Sequence, residues 1–489
     1  MALQPAERDI QKGLSSYFVE SESFRRVIEN EKFILLGNRG AGKSAIFKIL
    51  AERMRAQGAI IIELSPDNYS YELLSQVLAS EKHGSWAKQG AFTAAWKYLI
   101  YLTVMKELTS QGKKLKTGAS ARIYNYLRDN HKGFQDNPIS VLISYLKRIE
   151  SFKIGPIDAS IKTKQLNSLY KLEEILRFRD DLFELCAKKR VFVLIDELDK
   201  GWDSSDEAKA FVAGLFSAAV SLNEDPKNFR VLVSLRRELY DSIPAIYEDA
   251  QKYRDVLELI TWDEESLLSL VAKRIRYGID RLDGRSDIEC WNTVFAEILD
   301  YRKNKSFNYV VDRTLYRPRE VIQFCSDALD KAREQNLAVI DYDIISRAES
   351  LYSEGRARDL AAEYRFQYPG LLSIFEVLRG KSYNLEREAL ELICLSITTG
   401  EIPVDREAAW AIDQDPDLLI DVLWRVGFLR AQAVGGLKAL RRSGSQYLGP
   451  HQISNLNLRT IQRFHVHPMF RSFLGLKEAK ETREAGKED

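Results

Sequence analysis

The sequence predicts an α/β protein built on a parallel sheet, and two observations carry that prediction. Five short runs of apolar and β-branched residues are predicted strands, at 32–37, 59–64, 190–196, 229–235 and 256–262. The runs are apolar almost throughout, which is typical of strands covered by helices on both faces. Long stretches of helical periodicity separate them, as the connections of a parallel sheet require.

A chain of 489 residues is too long for one hydrophobic core, so several domains are expected. We predict a sheet-containing core over 1–265 with a helical insertion at about 66–180, and then a helical domain over 266–380. Over 381–475, three helical segments precede two strands, the order of a winged helix. A charged flexible tail is predicted over 476–489.

Composition favours an ordinary globular protein. The chain has 72 Lys and Arg against 71 Asp and Glu, so net charge alone indicates no partner. It has no apolar run of the roughly 18 to 20 residues needed to cross a bilayer, and its N-terminus lacks the apolar region of a signal peptide. Four widely spaced cysteines are predicted to be free, buried thiols, which fits a cytoplasmic protein without a membrane partner.

A glycine-rich motif over 37–44 indicates the function. GNRGAGKS matches G-x-x-x-x-G-K-[ST] between a predicted strand and a predicted helix. In such a turn, backbone N–H groups face a phosphate, the lysine bridges phosphates and the last hydroxyl holds Mg²⁺. The residues predicted to bind a nucleotide are Gly37, Asn38, Arg39, Gly40, Ala41, Gly42, Lys43 and Ser44.

Acidic partners are predicted at the end of a neighbouring strand. VFVLIDELD places Asp196 and Glu197 directly after five apolar residues. We expect Asp196 to join Ser44 in holding Mg²⁺, and Glu197 to polarise the attacking water. Asp199 is either an orienting carboxylate or a surface residue.

Cations follow the later strands. Ser234 and Arg236 end the fourth strand, where either is expected to face the γ-phosphate, although Arg236 also fits a solvated helix start. Arg317 and Arg319 flank Pro318 at the start of a helix, where a cation opposes the helix dipole and needs an anion. That anion is a phosphate or a local carboxylate such as Glu320.

In order along the chain, GNRGAGKS, LIDELD, the strand-end SLR and RPRE resemble the AAA+/STAND branch of P-loop ATPases. More narrowly they are similar to bacterial P-loop ATPases often encoded in phage-defence neighbourhoods. The resemblance implies a strand order 5-1-4-3-2, a helical lid and ATP-driven switching. It also implies that Ser234 and Arg236 form sensor 1, that Arg319 or Arg317 is sensor 2, and that Arg254 is placed for an arginine finger.

Other nucleotide-binding classes fit less well. The N-K-x-D motif of GTPases is missing, and LRRSGSQ lies some 240 residues after Asp196, where an ABC signature does not belong. A glutamate directly after Asp196 favours attack by water over transfer to a small molecule.

The segment 422–475 contains eight cations and no acid. Lys438, Arg441 and Arg442 lie where the wing of a winged helix would meet DNA phosphates. The preceding helix, DPDLLIDVLWRV, is acidic at its start and otherwise largely apolar, which is unsuited to base reading. DNA contact, lid or partner-protein contact and a solvated face all stay open.

These observations predict a Mg²⁺-dependent ATPase that acts as a switch for an effector protein, in bacterial antiphage defence by the resemblance. The alternatives are an ATP-stabilised DNA-binding scaffold and a DNA-stimulated remodelling ATPase. A homo-oligomer also stays open.

Overall fold

The structure, a computed structural model, describes residues 13–65, 85–110, 117–131, 172–200, 202–224, 228–244, 246, 250–433, 435, 446–453 and 456–478. The chain divides into two compact units. The sheet unit comprises Glu20–Asn38 and Gly42–Ile260, and the C-terminal unit comprises Met1–Val19, Arg39–Ala41 and Thr261–Asp489. Among the described helices, none has the length and apolar character that crossing a bilayer requires.

Strands and helices are numbered along the chain. The strands are β1 (Ile34–Gly37), β2 (Ile60–Leu64), β3 (Val191–Ile195), β4 (Phe229–Arg236), β5 (Leu257–Leu259), β6 (Asn384–Glu386), β7 (Leu429–Gln432), β8 (Tyr447–Leu448) and β9 (Arg463–Val466). The helices up to β5 are α1 (Leu14–Tyr17), α2 (Glu22–Ile28), α3 (Lys43–Ala56), α4 (Ser85–Ser110), α5 (Gly118–Asn130), α6 (Glu173–Leu176), α7 (Arg179–Lys188), α8 (Asp206–Asn223), α9 (Arg237–Asp241) and α10 (Ala250–Arg254). Those after β5 are α11 (Glu264–Gly278), α12 (Asp287–Asn292), α13 (Ser306–Asp312), α14 (Pro318–Glu334), α15 (Tyr342–Glu363), α16 (Leu371–Glu376), α17 (Arg387–Thr398), α18 (Pro416–Arg425) and α19 (Pro468–Leu474). Short 3-10 helices span Asp280–Leu282, Arg406–Ala411 and Leu458–Thr460.

The sheet unit contains five parallel strands in the order β2-β3-β4-β1-β5. This confirms the predicted α/β class and the strand order 5-1-4-3-2. β1 and β3 are buried along their whole length, as the continuous apolar runs require. All five predicted strands are present, each trimmed by one to four residues at its ends or extended by one.

Helix α4 packs against α8 in the sheet unit. Trp96 is fully buried, and its indole N–H donates a 3.1 Å hydrogen bond to the carbonyl of Phe211. Gly214 permits the close approach, because a Cβ there would lie 2.6 Å from the Cβ of Phe92. The described part of the predicted insertion is therefore helical and contributes to the core, whereas much of it, including 151–171, lies outside the described residues.

The C-terminal unit begins with helices whose starts the sequence specifies. Asp263 caps α11 by accepting a 2.8 Å hydrogen bond from Ser266 N, and Pro318 occupies the first turn of α14. Buried side chains from Leu267 to Leu474 form one continuous core. The core is not interrupted at residue 380, so the domain boundary predicted there stays a prediction.

The end of the C-terminal unit is an antiparallel sheet in the order β6-β9-β7-β8, packed with α17 and α18. Three details differ from the sequence expectation. The strand β8 was not predicted. Residues 384–386 pair with β9 as a strand and do not start a helix, and the middle helical segment is the 3-10 helix Arg406–Ala411. Arg430 of β7 donates a 2.5 Å hydrogen bond to Asp312 of α13, which ties this sheet to the helices before it.

Candidate nucleotide site

The predicted site residues of the sheet unit lie at the carboxyl edge of the sheet. β1 ends at Gly37, which is in register with Arg236 of β4, and Ile195 of β3 is in register with Val233 of β4. The expectation that Asp196 follows a strand neighbouring β1 is therefore wrong. β4 lies between β1 and β3. After β1 the chain passes to β2 at the far edge of the sheet, and β3 and β4 then fill the positions back towards β1. The last residues of β4 connect the two halves of the site.

Asp196 is held by two donors. Its Oδ1 accepts a 2.7 Å hydrogen bond from the hydroxyl of Ser234 and a 2.8 Å hydrogen bond from the backbone N–H of Glu197. Ser234 is only 1% exposed, so its hydroxyl has little freedom to turn elsewhere. The carboxylate is thus fixed beside the strand that separates it from the phosphate loop.

Lys43 starts α3 and folds back over its own loop. Its Nζ donates hydrogen bonds of 2.7 Å to Gly37 O and 3.3 Å to Asn38 O. Burial lowers the pKa of Lys43, and the carboxylates of Glu238 and Asp196 oppose that shift. A buried ammonium with lowered pKa gains from an added anion, since the anion repays part of its desolvation.

The first turn of α3 is suited to an anion. It contains no acidic residue, its preceding residue Gly42 has φ +99°, and no side chain caps its N-terminus. The amide groups of a 14-residue helix start therefore stand next to Lys43 and Ser44. Ser44 is partly exposed in this turn. A serine hydroxyl and the Asp196 carboxylate are oxygen donors of the kind that Mg²⁺ prefers.

Arg236 lies between two carboxylates. It forms an ion pair with Asp199, and its Nη1 lies 3.8 Å from Oε1 of Glu238. Glu238 is only 6% exposed and acts on Lys43 as well. Sequence reasoning missed Glu238, although an acid two residues beyond a site strand is a usable signal. The structure gives Asp199 a partner within the site, which its sequence position left open.

Glu197 occupies a strained backbone position. Its φ is +62°, in the left-handed region that non-glycine residues rarely adopt. Its side chain is 36% exposed and lies 2.7 Å from the Nζ of Lys200. The role of Glu197 in activating water stays a prediction, and so does the role of Arg254, which is exposed at the end of α10.

The tip of the phosphate loop, Arg39–Ala41, belongs to the C-terminal unit. The backbone N–H of Arg319 donates to Gly40 O at 3.4 Å, and the indole N–H of Trp262 donates to Ala41 O at 2.9 Å. Gly40 has φ +80°, and a Cβ there would lie 2.8 Å from the Cβ of Arg319. Arg319 thus packs on the loop, and its role as sensor 2 stays a prediction. Trp262 was not predicted; an aromatic residue soon after β5 was the available signal.

Arg317 has a structural environment instead. It is 5% exposed, with Nη1 2.7 Å from Glu363 and 3.7 Å from Glu320. The local-carboxylate alternative therefore describes Arg317, and Arg319 is the arginine of this helix start that lies on the loop. Arg39, Arg319 and Arg356 line one cavity of the C-terminal unit together with Arg317.

Most described cations of the acid-free segment have acidic neighbours from outside it. The ion pairs are Arg425 with Asp421, Arg430 with Asp312, Arg459 with Asp417 and Arg463 with Glu386. These ion pairs reduce the positive electrostatic field that eight cations without an acid would otherwise produce over 422–475. Lys438, Arg441 and Arg442, the cations proposed for DNA contact, lie outside the described residues.

Strand order and the glycine loop between β1 and α3 together define an α/β P-loop NTPase fold. Sequence comparison adds relatives. The profile of the FunZ-associated C-terminal helical domain matches residues 265–361. The 80.3 kDa protein of transposon gamma-delta from Escherichia coli K12 is 25% identical over 484 residues, covering 96% of this chain and 66% of that protein. The chain thus spans just under two thirds of this relative.

A second relative is the allergen Alt a 2 of Alternaria alternata, which is 31% identical over 135 residues. The match covers 27% of this chain and 67% of the allergen. Over that segment, the chain belongs to the same family as Alt a 2.

Solved structures with some likeness include the Orc2 protein of Aeropyrum pernix and Cdc6p of Pyrobaculum aerophilum. The first has a TM-score of 0.29 at 10% identity and covers 96% of this chain and 95% of its own. The second has a TM-score of 0.28 at 11% identity and covers 91% and 90%. Scores this low establish no shared fold, so the fold assignment rests on the sheet topology.

Proposed function

We propose that the protein binds ATP with Mg²⁺ and hydrolyses it to ADP and phosphate. The observation that carries the proposal is the arrangement at the sheet edge. Lys43 caps the glycine loop, and Asp196, fixed by Ser234, exerts its charge on Lys43. This is the combination of anion-binding amides, a cation and oxygen ligands that a magnesium–triphosphate needs.

In this proposal Lys43 neutralises phosphate charge, while Ser44 and Asp196 hold the Mg²⁺. Bound Mg²⁺ supplies charge neutralisation on the phosphate oxygens. Glu197 orients and polarises the attacking water. Arg236 and Ser234 respond to the γ-phosphate. Arg319 keeps the sensor 2 role that the resemblance implies. Adenine is preferred to guanine here because the chain lacks N-K-x-D.

We further propose that hydrolysis drives an AAA+/STAND-type switch that controls an effector protein. The FunZ-associated profile supports only the helical lid of this proposal, because it matches at 265–361, where the resemblance implies that lid. The winged-helix character of 381–475, the cytoplasmic location and the antiphage role belong to this same proposal. The first rests on the order of helical segments and strands in the sequence, the second on the four free cysteines, and the third on the resemblance. Because one relative is a transposon protein, a role in a mobile genetic element should be examined alongside the antiphage role.

A second candidate is an ATP-stabilised scaffold with little turnover. Two contacts favour it. Glu197 lies against Lys200, and Arg236 is paired with Asp199, so both groups assigned to turnover are already engaged. A DNA-stimulated ATPase is less favoured, since most described cations of the acid-free segment have acidic neighbours.

The test is ATP binding and phosphate release by the wild type, Glu197→Gln and Asp196→Asn. A hydrolase keeps ATP binding but loses turnover by about 100-fold or more in Glu197→Gln, as removal of a general base does. Asp196→Asn should lose Mg²⁺-dependent binding. Binding without phosphate release in the wild type, with DNA or candidate effectors added, would select the scaffold. No ATP binding by the wild type would reject both.

A further inference from the structure

Trp262 contacts the phosphate loop although it lies more than 200 residues from it in sequence. Its indole N–H donates a 2.9 Å hydrogen bond to the carbonyl of Ala41, and both residues belong to the C-terminal unit. The indole is partly buried and packs against the core of that unit. The donor is therefore anchored, and the carbonyl that it holds is the last one before Gly42.

Anchoring this carbonyl fixes the direction of the next amide. A trans peptide is planar, with its C=O and N–H pointing in opposite directions, and the structure contains no cis bond in the described chain. The N–H of Gly42 therefore points away from Trp262. The preceding peptide is held in a similar way, since Arg319 N donates to Gly40 O at 3.4 Å.

We propose that Trp262 is a positioning residue of the phosphate loop. By holding the carbonyl of Ala41, it aims the N–H of Gly42 at the phosphate chain of a bound nucleoside triphosphate. The inference rests on the proposed function, because it presupposes that the loop binds phosphate. It concerns the polyphosphate part of the ligand and predicts no effect on recognition of the base.

The chain offers a matched control. Trp410 is also partly buried in the C-terminal unit, and its indole N–H donates a 2.7 Å hydrogen bond to the carbonyl of Pro369. Trp262→Phe and Trp410→Phe thus remove the same kind of bond and keep an aromatic ring. Only the first bond reaches the loop.

The experiment measures dissociation constants of the full chain for MgATP, tripolyphosphate and adenosine by calorimetry. Trp262→Phe should weaken the binding of MgATP and of tripolyphosphate by the same factor, about five-fold for the loss of one hydrogen bond. Any binding of adenosine should be unchanged. Trp410→Phe should stay within about two-fold of the wild type for each ligand. This dependence on phosphate separates positioning from general destabilisation.

The possible outcomes separate a failure of the proposed function from a failure of the role of Trp262. If the wild type binds neither MgATP nor tripolyphosphate, the proposed function fails. If the wild type binds both and Trp262→Phe matches Trp410→Phe, only the role of Trp262 is overturned. Should Trp262→Phe not fold, 3-benzothienylalanine at 262 keeps the indole shape without its N–H. The same loss is expected there, and unchanged affinity for tripolyphosphate would refute the inference.

Discussion

The hydroxyl of Ser234 donates a 2.7 Å hydrogen bond to Oδ1 of Asp196, joining the ends of β4 and β3. The same oxygen accepts the amide of Glu197. A carboxylate that accepts two hydrogen bonds on one oxygen has a fixed orientation, which places its other oxygen in a defined direction. Ser234 therefore orients Asp196, the proposed metal ligand, and it need not touch the γ-phosphate to affect binding.

Ser234→Ala should raise the Mg²⁺ concentration needed for half-maximal ATP binding by about ten-fold or more, because Asp196 loses its side-chain donor. A hydrogen bond to a charged group contributes about 1.5–3 kcal/mol. ATP binding without Mg²⁺ should not change. The measurement is a Mg²⁺ titration of ATP binding at fixed ATP.

Ser353→Ala is the control for this substitution. Ser353 is fully buried and its Oγ accepts the backbone N–H of Phe473 at 3.0 Å, so the loss of a buried hydroxyl is matched away from the sheet edge. Equal Mg²⁺ midpoints for Ser234→Ala and Ser353→Ala would show that Ser234 does not orient Asp196.

Glu238→Gln should change the pH dependence of nucleotide binding. Burial lowers the pKa of Lys43, and Glu238 is the strongest of the charges that oppose this shift. Without that charge the pKa of Lys43 falls further. Because phosphate binding needs the protonated ammonium, affinity should start to decline at a lower pH in Glu238→Gln. The measurement is the dissociation constant for ADP between about pH 7 and 10.

The contrary result is equally clear for Glu238. If its charge mainly repels phosphate, Glu238→Gln binds ADP more tightly at every pH and the alkaline limb does not move. Asp327→Asn is a suitable control, because Asp327 is a half-buried carboxyl of the C-terminal unit whose pKa burial raises.

The sheet was predictable because its strands are apolar on both faces, so their positions needed no knowledge of partners. The convergence of Lys43 and Asp196 followed from the rule that parallel strands end at one edge. The pairing of Arg236 with Asp199 did not follow, since it depends on strand register and on the turn after β3. The contact of Trp262 with Ala41 joins residues 221 positions apart, and no local pattern encodes it.

Gly40→Ala should destabilise the loop more than an ordinary glycine substitution. Its φ of +80° disfavours a side chain, and the new Cβ would lie 2.8 Å from the Cβ of Arg319. Gly58→Ala is the matched variant, with φ +81° and no atom within 4 Å of the new Cβ. Backbone strain alone costs about 1–2 kcal/mol in either variant. The unfolding free energy of Gly40→Ala should therefore fall further than that of Gly58→Ala, by the cost of the clash with Arg319.

Denaturant unfolding and ATP binding together check the Gly40 prediction. Gly58→Ala should lower the unfolding free energy and leave the affinity for ATP unchanged, whereas Gly40→Ala should lower both. Equal unfolding free energies and equal ATP affinities in the two variants would mean that Arg319 does not pack on the loop in solution.

Gly214→Ala tests the packing of α4 on α8. The added Cβ would lie 2.6 Å from the Cβ of Phe92 and 2.9 Å from the backbone nitrogen of Thr93, so the helices must separate. Overpacking of this kind costs about 1–3 kcal/mol. Gly355→Ala lies inside α15 with no atom within 4 Å of the new Cβ, and helix propensity there should stabilise the chain by up to about 1 kcal/mol. Opposite signs of the change in unfolding free energy are therefore expected, and stabilisation by Gly214→Ala would mean that α4 does not lie against α8.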